Sequence, residues 1–257
     1  MKVGVNLLLI CGTLLWAGPV LAQREGNARH YHVWMAALPL GTESRAKMLS
    51  LVDDLKRQHA TELEQTATAL GCKKIILASQ VGPERSWLLF RTECKEDIQS
   101  RLFERAAPDW YRKLTALATF PTASAVTTLF DWDDDALAEG ARGQKFGIPR
   151  AVHVTAAQAA TLKQLTAEMR SRYLGGLIKR ARWVPYYKEN MHLQEQPDGA
   201  LFLLYLEMPA PMALTRVVSY PDDEFTRWWN PKFSAALAPE FQERDIRNEL
   251  LFNWEAP

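Results

Sequence analysis

An excess of charge of one sign is missing from this chain. Against 31 Lys and Arg stand 30 Asp and Glu, a formal net charge of +1 over 257 residues. A nucleic-acid footprint needs a basic excess or stripe, and there is none. Also missing are a phosphate-binding glycine loop, a Gly-x-Ser-x-Gly elbow and a His-Glu-x-x-His helix. Their absence removes support for several nucleotide-dependent and hydrolase classes. After the first 22 residues no stretch is apolar enough to span a bilayer. His30 and His32 stand two apart on a strand, but no Cys or carboxylate joins them as a third ligand, so no metal is expected.

What is present begins at the N-terminus. Lys2 precedes an apolar run from Val3 to Trp16, and Gly18-Pro19-Val20-Leu21-Ala22 follows. This is the pattern of a secretory signal peptide cleaved after Ala22, and the run is short of the roughly 20 residues a spanning helix needs. Residues 1–22 are therefore read as a leader, and the protein as periplasmic or secreted. Cys11 lies inside the run behind Ile10, which does not suit a lipoprotein cleavage site. Of three cysteines only Cys72 and Cys94 remain. In an oxidising compartment they are expected to form a disulfide. Between them lie two strand-like runs, Ile75-Ile76-Leu77-Ala78 and Trp87-Leu88-Leu89-Phe90. A hairpin turning at Pro83 sets positions 72 and 94 opposite each other.

Four short patterns occur twice in the same order. His32-Val33-Trp34 returns as Ala151-Val152-His153, and Leu88-Leu89-Phe90 as Leu203-Leu204-Tyr205. Trp110-Tyr111 returns as Trp228-Trp229, and Leu129-Phe130-Asp131-Trp132 as Leu251-Phe252-Asn253-Trp254. The spacing runs from 115 to 122 residues. That is too long for a solenoid repeat and suits a duplicated unit with its own core.

Each half reads as βαββαβ. The first has a strand from His30 to Ala37, a helix from Glu43 to Leu70 that Thr42 is placed to cap and Gly71 to stop, and the hairpin. A second helical region runs from Lys95 to Leu117, broken at Pro108, and a last strand from Ala125 to Trp132. The second half repeats the order from Arg150 to Trp254, its hairpin turning at Pro197-Asp198-Gly199. The fold class is thus α+β: two ferredoxin-like βαββαβ units forming a fused dimeric α+β barrel. The first unit is placed at 23–135, a linker at 136–148 and the second unit at 149–257. No oligomer is required, because the pseudo-dimer lies within one chain. Strand alternation assigns Val33, Met35, Val152 and Val154 to the helix-covered faces. His32, Trp34, His153, Asn190 and His192 then fall on faces of unusual polarity, which suggests a wet cavity.

The constellation best suited to chemistry is His59 on the long helix with Trp110 and Tyr111. An imidazole takes and returns a proton near neutral pH. Aromatic rings stack on sugar C–H faces, and Arg112 and Arg227 beside the aromatic pairs can donate to hydroxyls. The competing reading makes one ring of each pair core.

These residues carry a resemblance. Leu55-Lys56-Arg57-Gln58-His59, Gly71, Leu88-Leu89-Phe90 and Asp109-Trp110-Tyr111-Arg112-Lys113-Leu114 resemble the L-rhamnose mutarotase family. Arg227-Trp228-Trp229 and Glu249-Leu250-Leu251-Phe252 resemble its Trp-Trp motif and last strand. The resemblance implies cofactor-free interconversion of sugar anomers, with no metal. It implies His59 as acid/base and Trp110, Tyr111, Trp228 and Trp229 in sugar binding, to which His192 is added from the polar strand face. Leu55 replaces the tyrosine one turn earlier. In the second half Glu168 and Gln164 stand where the histidine and tyrosine belong, which makes Glu168 the alternative acid/base. The expected partner is a monosaccharide such as L-rhamnose. The alternatives are a non-catalytic dimeric-barrel ligand-binding or interaction module, and a haem-binding barrel.

Overall fold

The computed structural model describes residues 31–82, 85–95, 101–118, 121, 125–134, 146–184, 186–208, 222–237 and 247–256. The leader at 1–22, the turn at Pro83 and nearly all of the linker at 136–148 lie outside the described residues. The first half comprises β1 (His32–Pro39), α1 (Thr42–Asp54), a π turn (Leu55–His59), α2 (Ala60–Ala69), β2 (Cys72–Val81) and β3 (Ser86–Cys94). It continues with α3 (Arg101–Ala106), α4 (Pro108–Leu117) and β4 (Val126–Asp133). The second comprises β5 (Phe146–Val154), α5 (Ala156–Glu168), a π turn (Met169–Tyr173) and α6 (Leu174–Trp183). It ends with β6 (Lys188–Gln196), β7 (Gly199–Met208), α7 (Glu224–Leu237) and β8 (Arg247–Glu255). Both halves interrupt the first long helix with a π turn at the matching place.

Local chemistry explains the boundaries. Pro108 opens α4, where its missing N–H costs nothing. Gly71 ends the first long helix at φ 65°, a conformation a side chain disfavours. Thr155 caps α5 in a reciprocal pair with Gln158. The cap position of α1 is Gly41, not Thr42, and no side chain closes it.

The strands form two antiparallel four-stranded sheets, ordered β1-β3-β2-β8 and β4-β6-β7-β5. The last strand of each half completes the sheet of the other half. A single unit therefore does not complete its own four-stranded sheet, as an isolated βαββαβ unit would. Alternation sets which face of a strand is apolar but not which free edge it joins. The edges β1 and β4 lie beside each other, as do β5 and β8, so the sheets curl into an eight-stranded barrel.

The duplication has a sharper register than the apolar repeats suggest. From β1 through the β6–β7 hairpin the equivalent residues are 114 apart: Ala37 and Ala151, Lys74 and Lys188, Gln80 and Gln194, Glu93 and Glu207. The last strands keep the spacing of Leu129-Phe130-Asp131-Trp132 to Leu251-Phe252-Asn253-Trp254. Asp131 pairs with Asn190 and Asn253 with Ile76, with a bulge at the same step in each strand.

This register corrects the faces of β1. Trp34, Ala36 and Leu38 pack into the helix-side core, while Met35 and Ala37 lie between the sheets. Val152 and Val154 do face the helices, as expected. The mismatch arises because the short apolar matches at β1 and β3 are an odd number of residues out of register, and an odd slip turns every side chain over. Cys72 and Cys94 are opposite each other and joined by a disulfide.

Candidate ligand pocket

The candidates from sequence divide among three places. His59 ends the first π turn, half-buried, with Nδ1 3.4 Å from Glu62 Oε2. Trp110 is fully buried on α4, and its indole N–H donates to the Leu51 carbonyl. Its ring packs on Phe103 at 4.7 Å, and Phe103 packs on Phe90 at 4.6 Å. No face of Trp110 is left for a sugar. Tyr111 is half-buried against the same core.

In the second half the buried member of the pair is Trp229, flanked by Phe225 at 5.9 Å and Phe233 at 4.7 Å. Trp228 is half-buried and stacks on Tyr173 at 4.2 Å, with the Lys232 ammonium 5.1 Å from its ring. Glu168 ends α5 in an ion pair with exposed Arg172 at 3.2 Å. By the structural register the counterpart of His59 is Tyr173, while Glu168 corresponds to Asp54. His192 lies on the other side of its sheet, wholly buried inside the barrel.

The polar strand faces meet inside the barrel and pair largely with one another, while Arg91 Nη1 and His192 Nε2 stay buried without a hydrogen-bond partner. Lys74 donates to Glu207 across the sheets and, at 3.2 Å, to Glu255. By the pseudo-two-fold, Lys188 donates to both oxygens of Glu93 at 2.9 and 2.7 Å. Arg91 adds to this, reaching Glu93 at 3.2 Å and Asn190 at 2.9 Å, and lies 4.2 Å over the Tyr205 ring. Asn190 donates to Asp131 at 2.6 Å. Burial alone would raise the Glu93 carboxyl, but Arg91 and Lys188 hold it far below the usual range. Burial pushes the Lys188 ammonium down, against the pull of Glu93. His192 is driven down to about 4 by burial, with Arg91 adding to the effect and Asp131 opposing it.

Two glutamines close the barrel seams. Gln80 donates to the Ala151 carbonyl at 2.6 Å and accepts from the Ala151 N–H at 2.8 Å. Gln194 does the same for Ala37 at 2.9 and 2.8 Å. Each side-chain amide supplies one ladder rung to an edge strand, which otherwise leaves buried backbone groups unpaired.

An open cavity of about 560 Å³ lies at one end of the first half, lined by Arg45, Ser79, Val81, Gly82, Arg247, Asn248 and Glu249. Pairing of β2 with β8 sets Ser79 opposite Glu249 and Val81 opposite Arg247, on the helix-covered face. Arg45 comes from the start of α1. The Ser79 hydroxyl is buried and has no hydrogen-bond partner. The matching positions in the second half are Leu193, Thr127, Glu195, Ala125 and Ala159, so the same end there is apolar where it is buried. No local pattern marks this site, because Arg45 and Arg247 look like ordinary surface charges in sequence and Ser79 like a strand residue. The signal available was asymmetry at three positions: Arg45, Ser79 and Arg247 in one half where the other has Ala159, Leu193 and Ala125, although Val81 is matched by Glu195.

The protein is a fused dimeric α+β barrel. No family model matches the sequence, and no curated protein does. Solved structures match the fold across nearly the whole chain. One is a proposed monooxygenase from Fusobacterium nucleatum subsp. nucleatum ATCC 25586, with TM-score 0.51 and 7% identity, covering 88% of this chain and 94% of that one. Another is an anthrone oxidase-like protein, with TM-score 0.47 and 12% identity, covering 90% and 94%. At such identities the likeness is one of fold. The likeness to the first supports ferredoxin-like units in a dimeric barrel, and it lends nothing to rhamnose mutarotase in particular.

Proposed function

We propose that this chain is an exported small-molecule-binding protein whose ligand occupies the first-half pocket. The observation that carries this reading is a cavity of about 560 Å³, within the size range of small-molecule sites, with the buried, unpartnered Ser79 hydroxyl in its wall. The apolar N-terminal run and the Cys72–Cys94 disulfide support export. Among the described residues no helix is long and apolar enough to cross a membrane.

A thermal-shift screen of a small-molecule library against wild type and Ser79→Leu tests the reading. The variant imports the residue of the second half and fills the cavity. A ligand at 100 times its Kd stabilises the folded state by about 2.7 kcal/mol. Shifts seen in wild type should vanish in the variant. Hits that persist unchanged place the ligand elsewhere and end the proposal.

A second reading, cofactor-free anomer interconversion, is favoured by one observation. His59 ends a π turn and faces Glu62, an imidazole–carboxylate pair suited to passing a proton. Anomer exchange of L-rhamnose followed by NMR should then be abolished by His59→Ala, or by Glu168→Gln if the second half does the work. Exchange indifferent to both substitutions, or none in wild type, removes this reading.

A further inference from the structure

We infer that the pocket recognises a small hydroxylated acid, its carboxylate or phosphate held between Arg45 and Arg247; this rests on the first-half pocket being the binding site. Among the described residues neither guanidinium forms an ion pair, whereas exposed Arg85, Arg112 and Lys113 do. Two guanidinium groups that line one cavity, without an ion pair among the described residues, are suited to an anionic group, because arginine presents its donors as a planar fork. The two ends of the matching helices also differ. Gly41 offers no side chain at the start of α1, whereas its counterpart Thr155 closes α5.

The remaining polar groups define the rest of the ligand. The Ser79 hydroxyl, 0% exposed and without a partner, both donates and accepts. Glu249, paired across the strands with Ser79, only accepts. A ligand that brings an acid to the arginines and hydroxyls to Ser79 and Glu249 satisfies all four. A molecule with acid groups at both ends meets repulsion from Glu249. The second half has Ala159, Ala125, Leu193 and Thr127 at these positions, so the pseudo-two-fold supplies its own control: four differences converge on one cavity.

Calorimetric titration with gluconate, glucose 6-phosphate and neutral glucose tests the inference on the purified chain. At least one acid should bind, glucose should not, and which acid binds separates carboxylate from phosphate. Arg45→Glu or Arg247→Glu should weaken binding by about tenfold or more, since a charge-assisted bond is lost and a like charge is added. Both arginines are exposed, so the folded state survives these changes. Ser79→Ala, which removes the hydroxyl without filling the space, should weaken binding less than Ser79→Leu. Failure of both acids to bind, equal binding of glucose, or indifference to both arginine substitutions overturns the anion assignment. If in those cases library hits are still lost in Ser79→Leu, the pocket reading stands and only the ligand class falls.

Discussion

At the scale of single residues, the barrel interior depends on charges that cannot lose one partner cheaply. Glu93 binds Lys188 and Arg91 with all three side chains buried. Removing the carboxylate leaves two cations without it, so Glu93→Leu should cost about 3–5 kcal/mol. Adding Lys188→Met to that variant should restore part of the loss, because it removes one stranded charge. Urea unfolding midpoints of the two single variants and the double variant check this. A double variant no more stable than Glu93→Leu contradicts it. His192 makes a separate prediction. Its folded-state pKa of about 4 lies below the ordinary 6.5. The unfolded chain therefore takes up a proton at higher pH than the folded one. The stabilisation is complete above about 6.5 and is lost as pH falls toward 4, about 3 kcal/mol in all. The carboxylates Glu93 and Glu207 act in the same direction only at lower pH, since both are held below their usual value. His192→Asn should flatten the loss of stability between pH 6.5 and 4.5, and a slope equal to wild type contradicts the assignment.

At the scale of elements, the strands and helices were legible because alternation, the Pro108 break and the Gly71 stop each leave a local mark. The disulfide was legible because a hairpin fixes which residues are opposite. Edge choice was not legible. β4 and β8 carry the same alternation whichever sheet they join, and the partner is selected by packing far away in sequence. The exchange has a testable consequence. A chain ending before Arg247 lacks β8 and should lose amide protection in β2 of the first half, while β6 keeps its β4 neighbour and stays protected. Hydrogen exchange resolved by strand reads this directly. Loss of protection in the β5–β7 half instead means that β8 belongs to its own unit.

For the whole molecule, the duplication was visible in sequence but its register was blurred. Leu, Val and Ala interchange freely on a buried face, so apolar repeats match at several offsets. The inward polar residues do not interchange. Lys74 with Lys188, Gln80 with Gln194, and Glu93 with Glu207 repeat at one spacing because each makes a specific bond to the opposite half. The helix-layer constellation of His59, Trp110 and Tyr111 was assembled from residue types alone, and burial of Trp110 in the core removes its ring from any ligand. The pocket carries no family pattern and emerges only where the halves differ. Its location is the claim on which the functional reading depends. Backbone NMR shifts recorded during titration with a library hit or gluconate test it most directly. The perturbed amides should cluster at Arg45, Ser79 to Gly82 and Arg247 to Glu249. Perturbations centred on His59 and Tyr111, with the pocket amides unmoved, contradict it.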